Sequence, residues 1–197
     1  HELGSIPYKF RIDSEFAELA VDKYKERGLH ARTVSYYGFP IDTGSILALK
    51  LLNPDNRLPA IIVSSNMYAN RAETIVLGKS VRDAIDASGK KAVVVVVSAL
   101  SNRLHTVEIK PEDDKIHSLK DHEWNLKFLE YLDKGRLEDV SQLSRQFHEE
   151  ARVPKVVSFK PFWIMASMMG QSNLYEGNIL AYEPVWGTGS AVVTMTP

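Results

Sequence analysis

The sequence predicts an α/β fold with a mainly parallel central sheet flanked by helices on both faces, and three observations favour it. Residues 92–98 contain five consecutive valines without polar alternation, a pattern typical of a strand buried on both faces. Residues 31–37 and 59–65 are two further strand-like segments. Helical patterns separate the three segments, and this β-α-β-α-β order favours parallel strands joined by right-handed crossovers.

The first half of the chain supplies these elements in order. Asp13 and Ser14 can cap an amphipathic helix that runs to the basic residues before Gly28. The elements predicted between that helix and the valine segment are a strand at 31–37, a loop at 38–45, a short helix at 46–52, a strand at 59–65 and a helix at 71–87 that ends near Gly89.

The second half is predicted to complete a single domain over residues 1–197. Its composition turns charged between residues 106 and 150, which predicts a peripheral helical layer. The elements expected here are helices at 122–132, 137–147 and 159–169, and closing strands at 178–183 and 191–195 joined through a tight turn at 187–189.

Composition narrows the classes of function. The 197 residues are 44% hydrophobic and carry a net charge of -1, so no overall positive field attracts nucleic acid or a membrane surface. The chain has no cysteine, which fits a reducing compartment and excludes thiolate metal sites. No apolar run is long enough to span a bilayer. We therefore expect a cytoplasmic protein with neither a nucleic-acid nor a membrane partner.

The triplet Asp42, Thr43 and Gly44 matches the motif of aspartic proteases, in which two carboxylates share a proton. The chain holds one copy, so this interpretation requires a homodimer, and the predicted parallel strands do not suit it. We favour Asp42 as the cap of the helix that follows.

Isolated histidines are the remaining candidates for metal ligands. His117 and His122 are five residues apart, which places helical side chains on different faces, and His105 and His148 lack neighbouring ligands at suitable spacing. We expect no metal site from them.

Asn102 is the focus of the predicted site. It follows the valine segment, and the carboxyl ends of such strands lie at ligand crevices. An amide does not gain or lose a proton near neutral pH as an imidazole does. The sequence therefore predicts a catalytic position that has been vacated.

Four motifs in order carry a resemblance to a known family. They are Gly-Phe-Pro-Ile-Asp-Thr-Gly-Ser-Ile at 38–46, Ser-Ala-Leu-Ser-Asn-Arg-Leu at 98–104, Phe-Lys-Pro-Phe-Trp at 159–163 and Tyr-Glu-Pro-Val-Trp-Gly-Thr-Gly at 182–189. Together they resemble the class III extradiol ring-cleaving dioxygenases over nearly the whole chain. The similarity is greatest to the alpha-type subunits of members that act on 2-aminophenol.

The resemblance implies a degenerate site. Active members hold Fe(II) with two N-terminal histidines and one glutamate, and we expect that N-terminal portion to be absent from these residues. Thr43 and Asn102 stand where the family has substrate-handling or acid-base histidines, and Lys160 stands near its glutamate. The implied relict pocket comprises Asp42, Thr43, Ser101, Asn102 and Lys160, with no catalytic residue and no metal in this chain.

The expected function is a non-catalytic alpha-type subunit that supports a homologous, iron-bearing beta subunit, with the aromatic substrate bound at the level of the complex. Three alternatives remain open. The chain is itself an active Fe(II) dioxygenase that uses upstream histidines and a carboxylate such as Glu176 or Glu183, or it is a scaffold or binding module, or it is the homodimeric protease built on Asp42.

Overall fold

The computed structural model describes residues 8–36, 38, 39, 41–64, 66–151 and 159–196. Tyr37, Pro40 and Ser65, which belong to the predicted strands and loop, lie outside the described residues. The elements in chain order are α1 Ser14–Glu26, α2 Thr43–Leu52, α3 Arg71–Ser88, a 3-10 turn Pro111–Asp113, α4 Leu119–Asp133, α5 Leu137–Glu150, α6 Lys160–Met168, β1 Glu176–Val185 and β2 Thr188–Thr196.

Capping residues set the bounds of several helices. Asp13 accepts a hydrogen bond from the Phe16 N–H, which starts α1. Asn70 and Glu73 form a reciprocal capping box at the start of α3, and Gly89 ends that helix in the left-handed conformation. Ser118 caps α4, so this helix begins at Leu119, before the predicted residue 122. The predicted helices are confirmed, and side-chain caps account for the starts of α1, α2, α3 and α4, whereas α5 and α6 begin without one.

The closing strands and their turn are also confirmed. β1 and β2 pair antiparallel from Glu176 opposite Thr196 to Val185 opposite Thr188. Their tight turn places Gly187 at a φ of 89°, a left-handed conformation that glycine adopts without steric cost. A Cβ at this position would also lie 2.8 Å from the Arg103 carbonyl oxygen. The hairpin therefore packs closely on the segment that follows Asn102.

The mainly parallel central sheet is not shown. Within the described residues, segments 31–36, 59–64 and 92–98 form no strand, apart from an isolated parallel bridge between Ile12 and Ala60. Val93 is 87% exposed, so the valine segment is not covered on both sides. The structure thus combines helices with an antiparallel hairpin. A run of valines indicates that a segment favours burial. A strand also needs a neighbouring strand that pairs with its backbone, and the valine run does not predict that neighbour.

The charged half of the chain holds most of the core, so the prediction of a peripheral helical layer was wrong. The buried residues of α4, α5 and α6 pack in one cluster, and the rings of Phe128 and Phe147 lie 4.9 Å apart between centroids. The apolar residues occupy one stripe of each helix, and most of the charged residues face outward, with Asp121 of α4 as a buried exception. The main members of this core cluster are Leu100, Phe128, Leu129, Leu132, Leu137, Val140, Phe147, Phe159 and Ala166.

A close helix crossing places α6 beside α3. At Gly78 an added Cβ would lie 1.9 Å from Ser167 Oγ and 2.4 Å from the Ile164 carbonyl oxygen. This contact fixes the start of α6, at Lys160, near the loop that leads into α3. No helix among the described residues is long and apolar enough to cross a membrane.

Candidate functional site

Asp42 caps α2, as the sequence favours. Its Oδ1 accepts from the Ser45 N–H at 2.8 Å and its Oδ2 accepts from the Ser45 hydroxyl at 2.7 Å. Partial burial acts to raise the pKa of Asp42, but the Ser45 hydrogen bonds outweigh it, so the pKa lies below its usual range. Both carboxylate oxygens are therefore engaged in capping, which does not suit a carboxyl that must share a proton.

The Asp-Thr-Gly loop lies against the end of the valine segment. A Cβ on Gly44 would be only 2.6 Å from Val97 Cγ1, so glycine allows this close approach without displacing the valine side chain. Thr43 is the first residue of α2 and is exposed. The structure thus brings the predicted loop next to the segment that leads to Asn102.

Ser101 and Asn102 point in different directions. Ser101 is buried, its N–H donates to Asn125 Oδ1 at 3.0 Å, and its carbonyl oxygen accepts from the Gly189 N–H. Asn102 is exposed. Ser101 therefore anchors this loop to α4 and to the hairpin, while Asn102 is the residue presented outward.

Asn125 links that anchor to a polar cluster. Its Nδ2 donates to Ser101 Oγ at 2.8 Å and to the Tyr182 hydroxyl at 3.1 Å. The same hydroxyl lies 3.0 Å from His122 Nδ1, and the two rings stack. Burial raises the pKa of Tyr182, although the hydrogen bond from Asn125 acts to lower it. Tyr182 therefore remains protonated at neutral pH and can donate to His122.

Lys160 is held by backbone carbonyl groups. Its Nζ donates to the carbonyl oxygens of Asn66 at 2.8 Å and Met67 at 2.6 Å. Among the described residues, no hydrogen bond or ion pair joins Lys160 to Asp42, Thr43 or Asn102. The predicted pocket residues are thus divided between the end of the valine segment and the loop before α3.

These side chains do not form a donor set that suits Fe(II). Thr43, Asn102 and Lys160 offer a hydroxyl, an amide and an ammonium, whereas the iron sites of ring-cleaving enzymes use imidazole and carboxylate. The Lys160 ammonium also places a positive charge against two carbonyl oxygens that could otherwise face a cation. No group of three His, Cys, Asp or Glu residues that could hold a metal is present in the described ranges.

The other candidate residues lie apart from these groups. His105 and His117 stack with ring centroids 5.5 Å apart, and His148 lies in the last turn of α5. Glu176 and Glu183 are exposed on β1. Asn125 was missed by sequence reasoning, although it follows Asp121 and precedes Leu129 at four-residue spacing on the buried stripe of α4.

Replacing Lys160 by methionine is expected to loosen the loop before α3. The variant loses two hydrogen bonds from a charged donor, and we expect its free energy of unfolding to fall by about 2 kcal/mol. Urea unfolding measures this change. Lys120→Met is the matched control, because Lys120 is exposed and its ion pair with Glu150 lies on the surface. Equal stability of the two variants would contradict the proposed role of Lys160.

Comparison with known proteins places these features in a family context. Residues 1–194 match the family described as the catalytic LigB subunit of aromatic ring-opening dioxygenase. The alpha subunit of 2-aminophenol 1,6-dioxygenase from Pseudomonas sp is 29% identical over 196 residues, which cover 98% of this chain and 70% of that protein. The beta subunit from Pseudomonas sp is 34% identical over 197 residues, which cover 94% of this chain and 64% of that protein.

The chain therefore spans about two thirds of the length of these relatives, 70% of the alpha subunit and 64% of the beta subunit. It is similar to both subunits of one enzyme. The two identity values do not separate an alpha-type from a beta-type role, and that distinction depends on the site residues.

Proposed function

Because this chain belongs to the LigB family of aromatic ring-opening dioxygenase subunits, we propose that it is a non-catalytic, alpha-type subunit of an extradiol dioxygenase acting on 2-aminophenol-like substrates. The observation that carries the proposal is the side-chain chemistry at Thr43, Asn102 and Lys160. The family resemblance implies two histidines and a glutamate near these positions. The chain has groups there that neither shuttle protons near neutral pH nor provide an anionic ligand.

The expected loss of activity is large. A positioned acid-base residue contributes about a hundredfold to ten-thousandfold to a reaction rate, and two such positions are altered here. The Lys160 ammonium further opposes a divalent cation at the start of α6. These substitutions support a role in assembly rather than in chemistry.

The proposed partner is a homologous beta-type subunit that holds Fe(II) and contributes the catalytic groups. The similarity of this chain to both subunits of one enzyme supports such pairing. In this proposal the aromatic substrate binds to the complex, and the complex is cytoplasmic.

Oxygen uptake with 2-aminophenol tests the proposal. We expect no uptake above background from the purified chain, and uptake that requires this chain when it is expressed together with a beta-type subunit. Asn102→Ala in the complex is expected to leave the rate within about twofold, because an exposed amide supplies no acid-base step. Substrate-dependent uptake by the isolated chain would overturn the non-catalytic assignment.

A catalytic role is the second candidate, and the family description itself favours it, since it refers to a catalytic subunit. In this case Glu176 or Glu183 would act as the carboxylate ligand of Fe(II), and upstream histidines would provide the other ligands. Both side chains are exposed on β1, so glutamine can replace either one without disturbing the core. Loss of uptake in Glu176→Gln or Glu183→Gln, with assembly intact, would favour the catalytic role.

We also propose that segments 31–36, 59–64 and 92–97 pair as parallel strands in the assembled enzyme. Their exposed apolar residues, which include Val34, Ile62 and Val93, and the parallel bridge from Ile12 to Ala60 support this pairing. We expect amide hydrogens of residues 93–97 to exchange rapidly in the chain alone and at least about tenfold more slowly in the complex. Equal exchange in the two states would contradict it.

A further inference from the structure

A cavity of about 260 Å³ lies between α3, α5 and α6, and none of the predicted pocket residues lines it. Arg71 opens α3, and Trp163 lies one turn after Lys160 on α6. The cavity is lined by Arg71, Ser141, Gln142, Ser144, Arg145 and Trp163. Its walls combine two guanidinium groups, two hydroxyls, an amide and an indole ring.

Hydrogen-bond donors at this cavity are left without acceptors. Arg71 Nη2 donates to Glu138 Oε1 at 3.1 Å and to Ser141 Oγ at 2.9 Å, but its Nε is buried and has no partner among the described residues. Ser141 is 2% exposed, and its hydroxyl proton likewise has no acceptor in the described part of the chain. Buried donors of this kind normally find a partner, which indicates that an acceptor belongs in the cavity.

The indole of Trp163 is held in a fixed orientation. Its Nε1 donates to the Ser141 carbonyl oxygen at 3.1 Å and to Ser144 Oγ at 2.9 Å. These bonds engage the polar edge of the ring, which is half-buried. What Trp163 offers to a ligand is therefore its apolar surface.

Arg145 supplies a charge without a counter-ion. It is exposed and forms no ion pair with any described residue. Arg71 is paired with Glu138, whose Oε2 is buried and also lacks a donor. The formal charges of Arg71, Arg145 and Glu138 sum to one positive charge. The cavity therefore suits a monoanion better than a dianion.

We propose that this cavity binds a small aromatic monocarboxylate. The planar carboxylate would accept hydrogen bonds from the guanidinium groups and the Ser141 hydroxyl, a geometry that arginine matches well. The aromatic ring would lie against Trp163. This site does not depend on the proposed function, because none of its lining residues belongs to the predicted pocket.

Calorimetric titration of the full chain with sodium benzoate at constant ionic strength tests the site. Saturable binding is expected, and Arg145→Gln is expected to weaken it about tenfold or more through loss of a charge-assisted hydrogen bond. Arg145 is exposed, so this substitution leaves folding intact. Arg82→Gln is the matched control, since Arg82 is also an exposed helical arginine but pairs with Asp86 outside the cavity, and it is expected to bind benzoate like the unaltered chain.

Two further ligands probe the chemistry of recognition. Benzyl alcohol, which keeps the ring but lacks the charge, and inorganic phosphate, which lacks the ring, are each expected to bind at least about tenfold more weakly than benzoate. The proposal is overturned if benzoate shows no saturable binding. It is equally overturned if Arg145→Gln binds as tightly as the unaltered chain, or if either comparison ligand matches benzoate.

Discussion

Replacing Asn125 by alanine is expected to lower the free energy of unfolding by about 3 kcal/mol, because an unsatisfied buried polar group costs about 1–3 kcal/mol and this change leaves several. Asn125 is fully buried and joins Ser101 to Tyr182. Its removal takes the acceptor from the Ser101 N–H and the donor from two hydroxyl groups. The network is expected to fail as a unit, because its hydrogen bonds strengthen one another in a low-dielectric interior.

Urea unfolding measures this change as a lower midpoint with an unchanged slope. Asn102→Ala is the control, because it removes the same amide from an exposed position in the loop that Asn125 anchors. We expect this control to change stability by no more than about 0.5 kcal/mol. If the two variants unfolded at the same urea concentration, Asn125 would not be the anchor of this loop.

Gly78→Ala is expected to destabilise the fold by about 3 kcal/mol, although alanine in a helix interior normally stabilises relative to glycine by about 1 kcal/mol. The sign reverses because the new methyl group would lie 1.9 Å from Ser167 Oγ and 2.4 Å from the Ile164 carbonyl oxygen. A hydroxyl can rotate, whereas a carbonyl oxygen moves only with the helix. The two helices would therefore have to separate.

A second substitution distinguishes these two contacts. Ser167→Ala removes the hydroxyl but leaves the Ile164 carbonyl in place, so the double variant is expected to recover only part of the lost stability. Thermal or urea unfolding of both single variants and the double variant gives the coupling between the two sites. Full recovery in the double variant would show that the backbone approach at Gly78 is not limiting.

Local signals explain which elements the sequence predicts. The capping residues and helical spacing of α3 lie within the helix or next to it, so Asn70, Glu73 and Gly89 predict its bounds. The valine segment is different, because a strand forms only with a partner that lies far away in sequence. The helical pattern of α4, which includes Phe128 and Leu132, was predictable, but its charged composition suggested a peripheral position rather than the core position that the structure shows.

The same distinction applies to the candidate site. The cap formed by Asp42 was predictable, because its partner Ser45 is three residues away. The carbonyl partners of Lys160 are 93 and 94 residues away, and no pattern in the sequence indicates them. Asn125 and Ser101 are 24 residues apart. Their hydrogen bond depends on how α4 packs against the loop, so no local sequence pattern predicts it.

Iron content per chain tests the central claim most directly. The purified chain, loaded with Fe(II) under anaerobic conditions and desalted, is expected to retain far less than one iron per chain, because Thr43, Asn102 and Lys160 supply no suitable ligand set. The complex with a beta-type subunit, treated in the same way, is expected to retain one iron per pair of subunits. Stoichiometric iron in the isolated chain, lost on substitution of its own carboxylates, would contradict the account.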